Sequence, residues 1–189
     1  MPTSDYDRFS IVAFASEPVR SLIEELRASL PPSGRPILAP HVTVARPFVQ
    51  PSNLDAIAAR VRAGAARAPV MTLRPGDPYH YTYGAFASVG IAVAFPPELA
   101  ELHASLAEAL ASLCSPLGAR ADPAAYHPHL TIVQQVDATL VPTIRAWVDA
   151  FGPVPDFELR EAALVGRHNG AEWQTLSTAP FGTRRGSGG

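Results

Sequence analysis

Two short segments of the chain pair the same reactive groups at the same spacing. His41-Val-Thr-Val44 and His129-Leu-Thr-Ile132 each set an imidazole two residues before a hydroxyl, with apolar residues between and after. Successive side chains of a β-strand point to opposite faces. His41 and Thr43 therefore share one face of a strand and Val42 and Val44 the other, and the same holds for His129 and Thr131 against Leu130 and Ile132. An imidazole, with an ordinary pKa near 6.5, can take or give a proton close to neutral pH. Two such pairs facing one ligand would supply a base for an attacking water or hydroxyl, an acid for a leaving oxygen, and hydroxyl donors for the non-bridging oxygens of a phosphodiester. That chemistry needs no metal.

The segments around these motifs read as one unit used twice. In the first, Phe9–Ala15 is apolar and β-prone. The stretch from Glu17 to Leu30 carries Val19, Leu22, Ile23, Leu26 and Leu30 at helical spacing, with Pro18 in its first turn. The strand His41–Ala45 follows a loop, Asn53 caps a second helix bearing Leu54, Ile57 and Val61, and Val70–Leu73 is a further strand. The second unit repeats the order: strand Ala87–Phe95, helix Pro96–Leu113 with a leucine stripe, strand His129–Val133, helix Thr139–Phe151, strand Phe157–Val165. Ile11-Val-Ala-Phe-Ala-Ser-Glu-Pro aligns with Ile91-Ala-Val-Ala-Phe-Pro-Pro-Glu, and Pro40-His-Val-Thr-Val with Pro128-His-Leu-Thr-Ile. The expected fold is α+β: a single bilobal domain over residues 1–189, its duplicated units related by a pseudo-twofold axis. Two antiparallel-rich sheets would flank a central cleft, with helices packed outside. Asn169-Gly170 predicts a hairpin turn near the C-terminus, and 182–189 a disordered tail.

The paired, flanked and duplicated motifs resemble those of the 2H phosphoesterase superfamily, which includes the so-called 2′-5′ RNA ligases and the cyclic nucleotide phosphodiesterases. The resemblance runs from about Phe9 to Pro180. It implies a bilobal fold with the motifs lining a cleft, and hydrolysis of 2′,3′-cyclic phosphates of nucleotides or RNA ends or reversible 2′-5′ linkage cleavage. Carried over by motif position, His41 and His129 are the catalytic pair, and Thr43 and Thr131 the phosphate-binding pair. No cofactor and no ATP are implied. The implied partner is a nucleotide or RNA end with a cyclic phosphate.

Other residues are weaker candidates. Tyr79, Tyr81 and Tyr83 alternate around His80, so they either stack a base or pack a sheet face. Tyr126, just before the second motif, could reach the cleft rim. Arg46 and Arg167 are candidates for phosphate contact, although on a regular strand Arg46 points away from His41. His127-Pro-His129 could join His41 in a three-histidine metal site, but neither motif contains a carboxylate and the threonines would go unexplained. His103 and His168 read as structural or exposed, and Cys114 as a core thiol.

Composition closes off several alternatives. At 47% hydrophobic and 17% charged over 189 residues, the chain can bury a sizeable core. No window is long and apolar enough to span a membrane, and no signal core starts the chain, so a cytoplasmic monomer is expected. All fifteen basic residues are arginine, which removes lysine-adenylate, Schiff-base and P-loop chemistry. A net charge of -2 opposes a broad, sequence-blind grip on nucleic acid. It leaves room for one nucleotide or an RNA end. A non-catalytic binder of such ends is the rival reading.

Overall fold

The computed structural model describes residues 6–30, 38–49, 53–116, 126–168 and 172–182. Nine strands and four α-helices are found among them: β1 (Arg8–Phe14), α1 (Val19–Ser29), β2 (His41–Val49), α2 (Leu54–Ala65), β3 (Met71–Tyr83), β4 (Phe86–Ala94), α3 (Pro97–Leu110), β5 (Ser115–Pro116), β6 (His129–Asp137), α4 (Val141–Phe151), β7 (Phe157–Leu159), β8 (Glu161–Arg167) and β9 (Trp173–Pro180).

The strands pair antiparallel in the order β7-β3-β4-β6-β2-β1-β8-β9, with β5 attached to β2. The sheet is two four-stranded halves, β7-β3-β4-β6 and β2-β1-β8-β9. They join edge to edge where β2 meets β6, at the single registered pair Val42↔Leu130. The two antiparallel sheets expected from the repeat are therefore present, fused along the two motif strands.

The third strand of each repeat does not stay in its own half. β3 follows the first unit in sequence but pairs with β4 of the second, while β8 ends the second unit and pairs with β1 of the first. The expected strand Phe157–Val165 is accordingly broken at Arg160: β7 runs beside β3 and β8 beside β1. The expected strand Val70–Leu73 begins at Met71 and continues through Pro75-Gly-Asp-Pro78 to Tyr83. Among the described residues β7 covers only Met71 to Leu73, so beyond that point one side of β3 is an edge. Proline costs no ladder hydrogen bond on an edge, and a register shift between Pro75 and Pro78 absorbs the extra residues.

The helices pack by their apolar stripes. Val19, Ile23 and Leu26 of α1 are buried, as are the equivalently spaced Leu99, His103, Leu106 and Leu110 of α3. α1 lies against β6 and α3 against β2, so each of these helices backs the other unit's motif strand. α2 starts at Asn53, whose side chain accepts a hydrogen bond from the Ala56 N–H at 3.0 Å, and packs on α3, β8 and β9. The core joins Phe9, Ile11, Val42, Leu130, Ile132 and Leu164 with these stripes. No helix among the described residues is long and apolar enough to cross a membrane. The predicted Asn169-Gly170 turn and 183–189 lie outside the described residues; Gly182 is bridged to Pro69.

Candidate active site

The join between the halves places the two motifs. Val42 and Leu130 are fully buried and face each other across the β2–β6 seam. Extending that antiparallel register by one residue each way sets Thr43 across from His129 and His41 across from Thr131. Because the apolar members point into the core, all four polar side chains turn to the opposite face. They meet there on the wall of a single cleft of about 480 Å³.

The two imidazoles are held in the same way. Nδ1 of His41 lies 2.8 Å from the Ala39 carbonyl and Nδ1 of His129 lies 2.9 Å from the His127 carbonyl, in each case two residues upstream. A carbonyl can only accept, so each Nδ1 carries the proton and each Nε2 presents its lone pair. Burial holds both rings below the ordinary histidine range, His41 to about 4 and His129 less far. The Ala39 carbonyl opposes this for His41, while the positive charge of Arg27 and the neighbouring His129 add to it.

Arg27 is the residue that the sequence did not single out. From the inner side of α1 its guanidinium donates to the Leu38 carbonyl at 2.8 Å and to the Thr131 carbonyl at 2.6 Å. It therefore ties the approach to the first motif to the strand of the second. Burial pulls its pKa down to about 10, with Glu24 opposing, so it remains a cation at neutral pH. Its only sequence signal is a charge next to Leu26 on an otherwise apolar stripe. Alone that reads as a surface arginine.

Tyr126 plays the matching part for the first motif. Its hydroxyl donates to the Thr43 carbonyl at 2.9 Å, its ring stacks on His103 at 4.0 Å, and burial raises its pKa. His103 in turn lies 2.7 Å from the Val44 carbonyl through Nδ1 and is buried. Tyr126 does line the cleft, but its phenol group is occupied with the backbone of β2. The side chain of Arg46 lies outside the described residues; its backbone continues β2, and a register shift against β1 falls beside it. Arg167 is buried against Trp173, 5.6 Å from its ring, at the far end of β8, and is not among the residues lining the cleft.

The cleft walls differ. On the first half, Val12 and Val165 form a small apolar cluster packed by Leu38 and Trp173. On the second, β3 brings Tyr79 to 5.1 Å and Tyr81 to 6.3 Å from the His129 ring. The described lining includes no carboxylate. Among the described residues no group of three His, Cys, Asp or Glu side chains could hold a metal ion, so His41, His127 and His129 do not form one. Cys114 is half-buried past the end of α3, with its thiol 3.5 Å from the Leu110 carbonyl.

Comparison with known proteins places the chain in a family and matches its fold. The family model described as the 2′-5′ RNA ligase superfamily matches residues 15–171. Among solved structures, Escherichia coli LigT complexed with 3′-AMP superposes with a TM-score of 0.60 at 21% identity, covering 94% of this chain and 99% of that one. A protein solved as a phosphoesterase gives 0.65 at 22% identity over 95% and 100%. The Thermus thermophilus protein TT0787 gives 0.65 at 15% identity over 94% and 99%. These likenesses establish the fold. No curated protein sequence matches.

Proposed function

The chain belongs to the 2′-5′ RNA ligase superfamily, and from that premise we propose that it is a metal-independent phosphodiesterase opening 2′,3′-cyclic phosphates at nucleotide or RNA ends. Reversible 2′-5′ linkage cleavage is the related transesterification at the same site, in which a ribose hydroxyl takes the place of water. The observation that carries the reading is the matched pair of imidazoles in one cleft, each locked with its Nε2 lone pair free and sharing that cleft with the two motif threonines.

In the hydrolytic direction one Nε2 takes a proton from the attacking water as its oxygen bonds to phosphorus. The other imidazole, entering protonated, gives its proton to the ribose oxygen that leaves. Thr43 and Thr131 donate to the non-bridging oxygens. The surroundings favour His41 as the base. Deep burial and Arg27 keep it neutral, whereas His129 is less perturbed and is the easier ring to protonate once an anionic phosphate enters. Tyr79 braces the His129 ring, and Tyr81 beyond it offers an exposed face on which the terminal base can stack. LigT was solved with 3′-AMP bound, and a nucleotide of that class suits this cleft.

The test is turnover of the four 2′,3′-cyclic nucleotides in EDTA, with the product phosphate position read by chromatography. Turnover that persists under chelation and yields a single monoester supports the reading. A folded protein that binds the nucleotides without turning them over is the binding module instead.

A further inference from the structure

The tyrosine face does not stop at the cleft. Tyr79, Tyr81 and Tyr83 stand on one side of β3, with ring centroids 6.2 Å and 5.5 Å apart. Phe86 is the registered partner of Tyr83 across the β3–β4 hairpin, so its side chain stands on that same side. Tyr79, nearest the histidine, is half-buried, whereas Tyr81, Tyr83 and Phe86 are 44%, 37% and 51% exposed. α4 covers part of the β3–β4 pair, but no described element covers these three rings. Tyr83 is also held in place. The Tyr83 hydroxyl accepts from the Gln135 N–H at 3.1 Å and lies 3.4 Å from the Ser88 hydroxyl, and Gln135 takes a positive φ of 57° at this contact.

Large aromatics in a row on an open sheet face lose apolar burial unless something stacks on them. The centroid spacing exceeds the ~3.4 Å rise between stacked bases of a duplex. Each ring therefore suits one base of an extended single strand. The chain carries a net charge of -2, so affinity along this track comes from stacking more than from phosphate contacts.

We propose that Tyr81, Tyr83 and Phe86 form a stacking track for successive bases of a single-stranded oligonucleotide, whose reactive end lies at His41 and His129. The substrate is then the end of an RNA strand in preference to a mononucleotide. The proposal rests on the phosphodiesterase reading for its reactive end, but the track itself can be tested without turnover.

The experiment compares adenosine 2′,3′-cyclic phosphate with di- and trinucleotides ending in the same group, in the wild type, Tyr83→Ala and Phe86→Ala. In parallel, fluorescence anisotropy follows a labelled oligoadenylate with a plain 3′-hydroxyl. Stacking is worth roughly five- to hundredfold per base. The wild type should process the trinucleotide at least about tenfold better in kcat/KM than the mononucleotide. Both variants should lose that gain while mononucleotide turnover stays within about twofold. Oligoadenylate binding should weaken in the same variants, with a shallow salt dependence. If no cyclic phosphate turns over but binding falls in both variants, the catalytic reading fails and the track stands. If mononucleotides turn over with no gain from length, the track is overturned and the catalytic reading stands; if both variants bind oligoadenylate as the wild type does, the track is overturned whatever the turnover. Phe86→Ala alone decides the point if Tyr83→Ala melts early.

Discussion

At the scale of the residue, the two motif imidazoles have their protons fixed in place. Each motif histidine gives its Nδ1 proton to a carbonyl of its own approach segment, so the reactive nitrogen is chosen before any ligand arrives. Replacing either ring by alanine should cut kcat by ~100-fold or more with the fold retained. The depressed pKa values also make a stability statement. Between about pH 4 and pH 6.5 the unfolded chain, with ordinary histidines, binds protons that folded His41 refuses. Stability is therefore full above about pH 6.5 and is lost as pH falls toward 4. Thermal melts should show Tm dropping across that window, and dropping less in His41→Gln; parallel curves would contradict the assignment. Arg27→Met removes a cation that depresses His41 and leaves the Leu38 and Thr131 carbonyls without their donor. The acid limb of kcat/KM should then move to higher pH, and the loss of stability should be about 1–3 kcal/mol per abandoned carbonyl.

At the scale of the element, the site depends on how closely three strands approach. Gly90 of β4 sits between Tyr79 on β3 and Thr131 on β6 in register. A Cβ there would drive into the Leu130 carbonyl and crowd Thr131 Cα at 3.3 Å. Gly90→Ala must push β6 away from β4. It should cost about 1–3 kcal/mol by overpacking and lower kcat more than about tenfold through displaced His129 and Thr131. Wild-type kcat in this variant would show that the seam tolerates the shift. The motif strands and the helices were legible in the sequence because their signals are local: alternation around His41 and His129, leucine spacing in α3, Asn53 as a cap. The course of β3 was not, because prolines such as Pro75 and Pro78 disfavour a continued ladder and only the missing neighbour of an edge strand makes them harmless. Arg27 was hidden for a similar reason. Its carbonyl partners, Leu38 and Thr131, lie on segments that local spacing does not connect to α1.

At the scale of the whole molecule, the duplication is interlocked. β3 completes the sheet of the second unit and β8 that of the first, while α1 and α3 each back the other unit's motif strand. Neither repeat holds a complete sheet of its own. Fragments cut at the Gly84–Ala85 turn should each lack β-sheet circular dichroism, and mixing them should restore it. A folded isolated half would contradict the crossed topology. Crossing also bears on the site, since the exchanged β3 carries Tyr79 of the first unit against the His129 ring of the second. Local motifs in the sequence indicated two lobes and one shared cleft, but the exchange depends on pairings between strands far apart in the chain.

The central claim is that His41 and His129 together transfer the protons of a phosphodiester cleavage without metal. The most direct measurement is turnover of a 2′,3′-cyclic nucleotide panel in EDTA by the wild type, His41→Ala and His129→Ala, each confirmed folded by its melt. The account predicts turnover unaffected by EDTA in the wild type and a loss of about 100-fold or more in each variant. Activity that returns only with added metal, or that survives either substitution, would contradict it.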